Sequence, residues 1–189
     1  MVTAPTLKKV IEGMNCVDVF LNDVRVPGSS ILGERGNGFK ILLRWIAGER
    51  IQQAAYMVGL GQAALDESVK YLGERVVGGK PMGFMQGFQW MLAEMKGRIE
   101  ACRYLTYRAA CLQDEGNPID VVSSELKVFV TPNIQDATRM ALQIHGSYGY
   151  SKEYKVERLF RYAAHAGVVA SSSEINKTIA GSALLKSRR

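Results

Sequence analysis

The run Gln143-Ile144-His145-Gly146-Ser147-Tyr148-Gly149-Tyr150 holds the groups in this sequence best suited to meeting a ligand. It closes a long helical pattern with two glycines separated by aromatic residues. Gly146 is able to leave the helix with positive φ, Gly149 lets a backbone come close to something flat or charged, and Tyr148 and Tyr150 supply rings. A plain helix C-cap followed by a tight turn has the same spacing, and the run alone does not choose between the two. Other reactive residue types are sparse. His145 and His165 are the two histidines, and Cys16, Cys102 and Cys111 form no CxxC pair. A metal site is therefore not expected. Three cysteines that cannot all pair, and an N-terminus without an apolar signal core, point to a reducing, cytoplasmic setting.

The chain has 189 residues, 47% of them hydrophobic and 22% charged, which suffices for one sizeable core. The formal charge of +6 is spread along the sequence, and Lys186-Ser187-Arg188-Arg189 is the densest basic group. A dedicated nucleic-acid binder shows a denser stripe, so nucleic acid is not an expected partner, whereas an anionic small ligand is compatible with this charge. No apolar run approaches the roughly 20 residues needed to cross a bilayer.

The elements that must position these groups are mostly helices. Residues 16–32 alternate apolar and polar side chains, as in Val17-Asp18-Val19-Phe20-Leu21 and Val24-Arg25-Val26, and predict a short β segment or hairpin closed by Pro27-Gly28. So small a sheet needs partners to bury a face. After the glycine-rich connector 33–38 the period becomes helical. Leu42, Ile46, Ala54, Val58, Leu65, Val69 and Leu72 predict one helix of about 36 residues ending near Arg75. Gly59 and Gly61 inside it each cost roughly 1 kcal/mol relative to alanine, which implies close approach of another helix or of a ligand. A second helix runs from Phe88 to Leu112, and a third from Asp120 to Ile144 with Pro132 expected to kink it or remove a hydrogen bond. Shorter helices are expected over 153–164 and 172–185, the last capped by Ser171, Ser172 or Ser173. The fold class is thus all-α: a four-helix bundle of long antiparallel helices plus short C-terminal helices, with a short N-terminal β remnant.

The order of motifs is more specific than any one of them. Val24-Arg25-Val26-Pro27, Leu32-Gly33 through Gly38-Phe39, Glu49-Arg50, Arg75 with Gly79-Lys80-Pro81, Gln86, Gln143 to Gly146, Gly149-Tyr150, and Val156-Glu157-Arg158 with Arg161 follow one another along the chain. From about Cys16 onward the sequence resembles the acyl-CoA dehydrogenases, flavoproteins that introduce the α,β double bond of acyl-CoA thioesters. The resemblance implies that residues 1–35 are the end of a middle β domain with its connector, and that 36–189 form the C-terminal helical domain. It also implies FAD as cofactor, an acyl-CoA substrate, an electron-accepting flavoprotein as partner, and assembly as a homodimer or homotetramer. The positions matching the family's FAD contacts are Arg75, Gln86, Gln143, Ile144, His145, Gly146 and Ser147. Ser172 and Glu174 match contacts near the active-site loop. Gly78 stands where the family usually has phenylalanine.

Dehydrogenation of a thioester needs a carboxylate to take the α-proton, best placed where desolvation raises its pKa toward the working pH. Most family members carry it in a Tyr-Glu-Gly-Thr run before the last helix. The matching run here is Val169-Ala170-Ser171-Ser172, and alanine cannot act as a base. A minority place the glutamate on the first long helix, directly before an arginine. Glu49 is accordingly the expected catalytic base, with Arg50 bordering the acyl-CoA cleft. Helical neighbours Trp45, Ile46, Gln52 and Gln53 offer Glu49 no cation for an ordinary surface pair. The competing expectations are a non-catalytic helical oligomerisation module derived from the same family, and a DNA-binding relative.

Overall fold

The computed structural model describes residues 2–11 and 14–186, with side chains from residue 17 onward. It divides into two compact units, Met1–Trp45 and Ile46–Arg189. In the first, strands β1 (Val2–Ile11) and β2 (Met14–Phe20) pair antiparallel, with Val2 opposite Phe20 and Lys8 opposite Cys16. The expected hairpin within 16–32 is corrected here. Residues 16–20 do lie in a strand, but their partner precedes them in sequence, and Val24-Arg25-Val26 is irregular. Asp23, with φ of 48°, turns the chain away before a second arm can form.

The helices follow the apolar periodicity closely. They are α1 (Gly38–Glu74), α2 (Gln86–Asp114), α3 (Asp120–His145), α4 (Lys155–Val168) and α5 (Ser173–Lys186), and between α1 and α2 a small hairpin joins β3 (Val76–Val77) to β4 (Lys80–Pro81). Gly78 and Gly79 both have positive φ, at 61° and 80°, as a two-residue type I′ turn requires. α2 ends in a Schellman motif: Gly116, at φ 76°, donates to the Gln113 carbonyl while Asn117 donates to that of Leu112.

α3 is the central rod of the second unit. It packs against α2, α4 and α5, and its Ile134 meets α1 at Gly61. A Cβ on Gly61 would sit 2.9 Å from Ile134 and 3.1 Å from Ile99, so this glycine permits three helices to converge. Gly59 has no such neighbour and faces open space. The core is built from Met57, Leu72, Met95, Ile99, Ile134 and Ile144 with smaller residues between them. Pro132 leaves α3 continuous, and Asn133 Nδ2 donates to the Phe129 carbonyl beside it. Among the described residues no helix is long and apolar enough to cross a membrane.

Candidate functional site

Apart from Gln86, the predicted site residues fall into two clusters, one towards each end of α3, a helix about 38 Å long by its rise. The first is a corner formed by α1, the start of α3 and the turn between α4 and α5. The Arg50 side chain is 6% exposed and points inward from α1. Its guanidinium donates to Ser124 Oγ at 3.1 Å, to Ser123 Oγ at 3.5 Å and to Ser171 Oγ at 3.3 Å, while its Nε finds no partner. Burial holds Arg50 below its ordinary range, and the charge of Asp120 opposes that shift. Lys127, 4% exposed, donates its Nζ to the Val169 carbonyl. Its pKa is lowered by burial first and by Arg50 second, with Glu49 acting in the opposite direction.

Glu49 is half-buried, directly precedes Arg50, and among the described residues has no hydrogen bond or ion pair. Its charge acts on Lys127, so the corner holds an unpaired carboxylate near a buried ammonium. The turn that faces Arg50 and Lys127 is strained: Ala170 has φ of 57° and Ser171 of 76°, a region that costs non-glycine residues about 1–3 kcal/mol each. Four contacts hold it. Besides Lys127 to Val169 and Arg50 to Ser171, Asn176 Nδ2 donates to Ser171 Oγ at 3.0 Å and to the Ser172 carbonyl at 2.8 Å. Of the three capping candidates it is Ser172 that caps α5, its Oγ accepting the Ile175 N–H at 3.3 Å. Glu174 is exposed in the first turn of α5, where it complements the helix dipole.

The second cluster is an edge at the C-terminal end of α3. Gly146 leaves the helix at φ 61°, and Gln143, Gly146, Ser147 and Tyr148 are exposed. Arg75 is exposed too, and its guanidinium carbon lies 5.6 Å from the Tyr148 ring centroid. A chain of rings ties this edge to the core: His145 stacks on Tyr71 at 4.2 Å, Tyr154 meets both edge-on, and Tyr148 lies 5.6 Å from Tyr154. Ile144 and His145 turn their side chains inward. His145 is 3% exposed and donates from Nδ1 to the Ala141 carbonyl at 2.8 Å, and burial depresses its pKa against the smaller opposing effects of that bond and of Glu67. Gly149 makes a close approach, although to this chain itself: a Cβ there would stand 2.7 Å from the Leu142 carbonyl oxygen. Beside the rings lies a cleft of about 240 Å³ crossed by the 2.6 Å ion pair of Lys155 with Glu67. Gln86 is exposed as the first residue of α2, and no side-chain contact joins it to Arg75.

Lys127 is the residue that the sequence reading passed over. The signal was present, because Ser124, Lys127, Thr131, Ile134, Thr138, Ala141 and His145 recur at spacings of three and four, and every one of them is buried. A lysine in phase with such a stripe is a buried lysine. The cysteines supply no competing chemistry: Cys102 is buried, with its thiol pushed up to about 12, and neither it nor the exposed Cys111 is in a disulfide. No group of metal-ligating side chains occurs among the described residues.

Comparison with known proteins is consistent with this geometry. The profile of the acyl-CoA dehydrogenase C-terminal domain matches residues 36–185. The chain is 38% identical over 179 residues to acryloyl-CoA reductase (NADH) of Anaerotignum propionicum, covering 95% of this chain and 45% of that protein. It is 34% identical over 169 residues to a caffeyl-CoA reductase-Etf complex subunit of Acetobacterium woodii, covering 89% and 45%. The solved structure of butyryl-CoA dehydrogenase from Megasphaera elsdenii superposes with a TM-score of 0.88 at 39% identity, over 90% of this chain and 45% of that one. The chain thus spans about half the length of the curated relatives it matches. With its helical bundle, its motif order and these matches, the chain belongs to the acyl-CoA dehydrogenase family of flavin-binding oxidoreductases.

Proposed function

We propose that this chain provides the helical part of an FAD-dependent acyl-CoA dehydrogenase-type enzyme in which Glu49 is the base that takes the α-proton of an acyl-CoA thioester. The observation that carries this reading is the corner itself. A half-buried, unpaired carboxylate whose charge acts on the buried Lys127 directly precedes the buried Arg50, which grips a turn whose own candidate position is Ala170. Glu49 removes the proton, Arg50 holds the turn and borders the cleft, and the buried serines keep its guanidinium fixed. A bound flavin supplies the two-electron acceptor for the β-hydrogen.

The residues of the edge fit such a cofactor. Arg75 has no carboxylate partner among the described residues and keeps its fork free for phosphate, while the open backbone at Gly146 and the exposed Gln143 and Ser147 offer polar groups to a ribose or an adenine. Ile144 and His145 serve by holding that edge from within. Gln86 is assigned to the same cofactor, and Ser172 and Glu174 to its end nearest the corner. Residues 1–35 are assigned to the end of a middle β domain with its connector, and residues 36–189 to the C-terminal helical domain. The partners proposed are a second copy of the chain, in a homodimer or homotetramer, and an electron-accepting flavoprotein. The relative that is an Etf complex subunit supports the latter. A cytoplasmic location belongs to the same reading.

The test uses the protein expressed from its complete reading frame. Glu49→Gln is expected to lower turnover of acyl-CoA thioesters by about 10²–10⁴-fold while leaving the bound-flavin absorbance unchanged. Persisting turnover removes Glu49 from the role. If the wild type shows no flavin bleaching with acyl-CoAs of any chain length, the non-catalytic oligomerisation module becomes the better reading, one that Ala170 already favours.

A further inference from the structure

We infer that Lys127 is the positioning residue of the corner: its ammonium clamps the Val169–Ser172 turn that Arg50 also grips. Its bearing on turnover rests on the reading of Glu49 as base, and the clamp itself stands on separate observations.

Lys127 is buried on the inward stripe of α3, between Ser124 and Thr131, and it donates to the Val169 carbonyl across 42 residues of chain. That carbonyl immediately precedes the two residues with positive φ. A backbone held in so sparsely populated a conformation persists only where its surroundings over-determine it. Lys127 grips the entry of the turn, Arg50 its middle and Asn176 its exit. α4 is brought close enough for this grip by Gly167, where a Cβ would collide with the end of the Gln135 side chain and press on Thr131, one turn along from Lys127.

Among the described residues no acidic side chain is hydrogen-bonded to the ammonium, so the Val169 carbonyl is its anchor. From α1 the ammonium faces Glu49 and Arg50; on α3 itself Asp120 acts on Arg50; the turn from Val169 to Ser173 carries no acidic or basic side chain; and His165 on α4 is the nearest titratable group in sequence before that turn. The void lined by Arg50, Gln53, Lys127 and Thr131 measures about 10 Å³, room for no more than a water-sized guest.

Three substitutions in the full-length flavoprotein test the clamp. Lys127→Gln keeps a donor for Val169 but no charge, Lys127→Met keeps neither, and Lys127→Arg keeps both. kcat is expected to fall about 10²-fold in the Met variant, with KM little changed, and to recover largely in the Arg variant. Amide exchange across residues 168–173 should quicken in the Met variant and not in the Gln variant. Unchanged exchange in Lys127→Met overturns the clamp. Should the Met variant not fold, Lys127→Ala takes its place in the exchange measurement. If Glu49→Gln stays active, the reading of the base fails, whereas the exchange measurement still judges Lys127 by itself.

Discussion

The two ends of α3 solve opposite problems with the same residue type. At the corner, Arg50 is buried, grips serine hydroxyls on α3 and in the turn, and has one nitrogen without a partner. At the edge, Arg75 is exposed, rests against the Tyr148 ring and keeps its hydrogen-bonding fork free. Burying a cation is costly unless hydrogen bonds and nearby charge compensate it, so the corner reads as a fixed electrostatic environment around Glu49. An exposed arginine carries no such cost and is available to a ligand that arrives from outside. On the proposed reading, the corner serves chemistry and the edge serves binding.

Substitutions that strike one end and spare the other test that contrast. The largest effect is expected at the foundation of the edge. Gly149→Ala would drive a methyl group to within 2.7 Å of the Leu142 carbonyl oxygen, an atom of helical backbone that cannot swing aside. A loss of about 3 kcal/mol or more, read as a fall in the denaturant midpoint at unchanged m-value, is the expected outcome. If the midpoint holds, the packing of the 146–150 turn on α3 is looser than described. Next in size, Arg75→Met should weaken flavin retention about tenfold, roughly 1.4 kcal/mol, while shifting stability by less than about 0.5 kcal/mol. A variant that unfolds while binding flavin normally would make Arg75 a structural residue and erase the contrast.

The smallest effect is a pH dependence centred on His145. Burial lowers its folded-state pKa beneath the ordinary imidazole value of 6.5, so below pH 6.5 the unfolded chain binds the proton more readily than the folded one. Stability contributed by the neutral ring is intact above 6.5 and is lost as pH falls from there toward the folded value. His145→Gln should flatten that acidic slope in thermal melts. An unaltered slope would assign it to other groups.

The helices were legible in the sequence because a 3.6-residue apolar period is a local property, and α1 to α5 lie close to where it placed them. Gly146 as a helix terminator was equally legible, since the positive φ needed there is a demand that glycine meets alone. The β1–β2 pairing was not, because alternation within 16–20 identifies a strand without identifying its partner. Gly149 was read as a place for a ligand and turned out to make room for its own helix. Only the path of the chain through the turn decides which of these a glycine serves. Lys127 escaped notice for a related reason. Lysine is normally a surface residue, and its burial becomes evident only when its phase on α3 is given more weight than its type.

Among its described residues α5 buries Asn176 alone, and leaves Ile175, Leu184 and Leu185 largely uncovered. Its attachment within this chain thus depends on polar contacts around Ser171 and Ser172 more than on withdrawal of apolar surface from water. Contacts of that kind are weak individually, so α5 is expected to open at lower free energy than the core helices α1 to α3. Heat capacity follows from the same fact. Release of a helix that exposes little new apolar surface changes it little, and that opening is therefore less steeply curved with temperature than unfolding of the core.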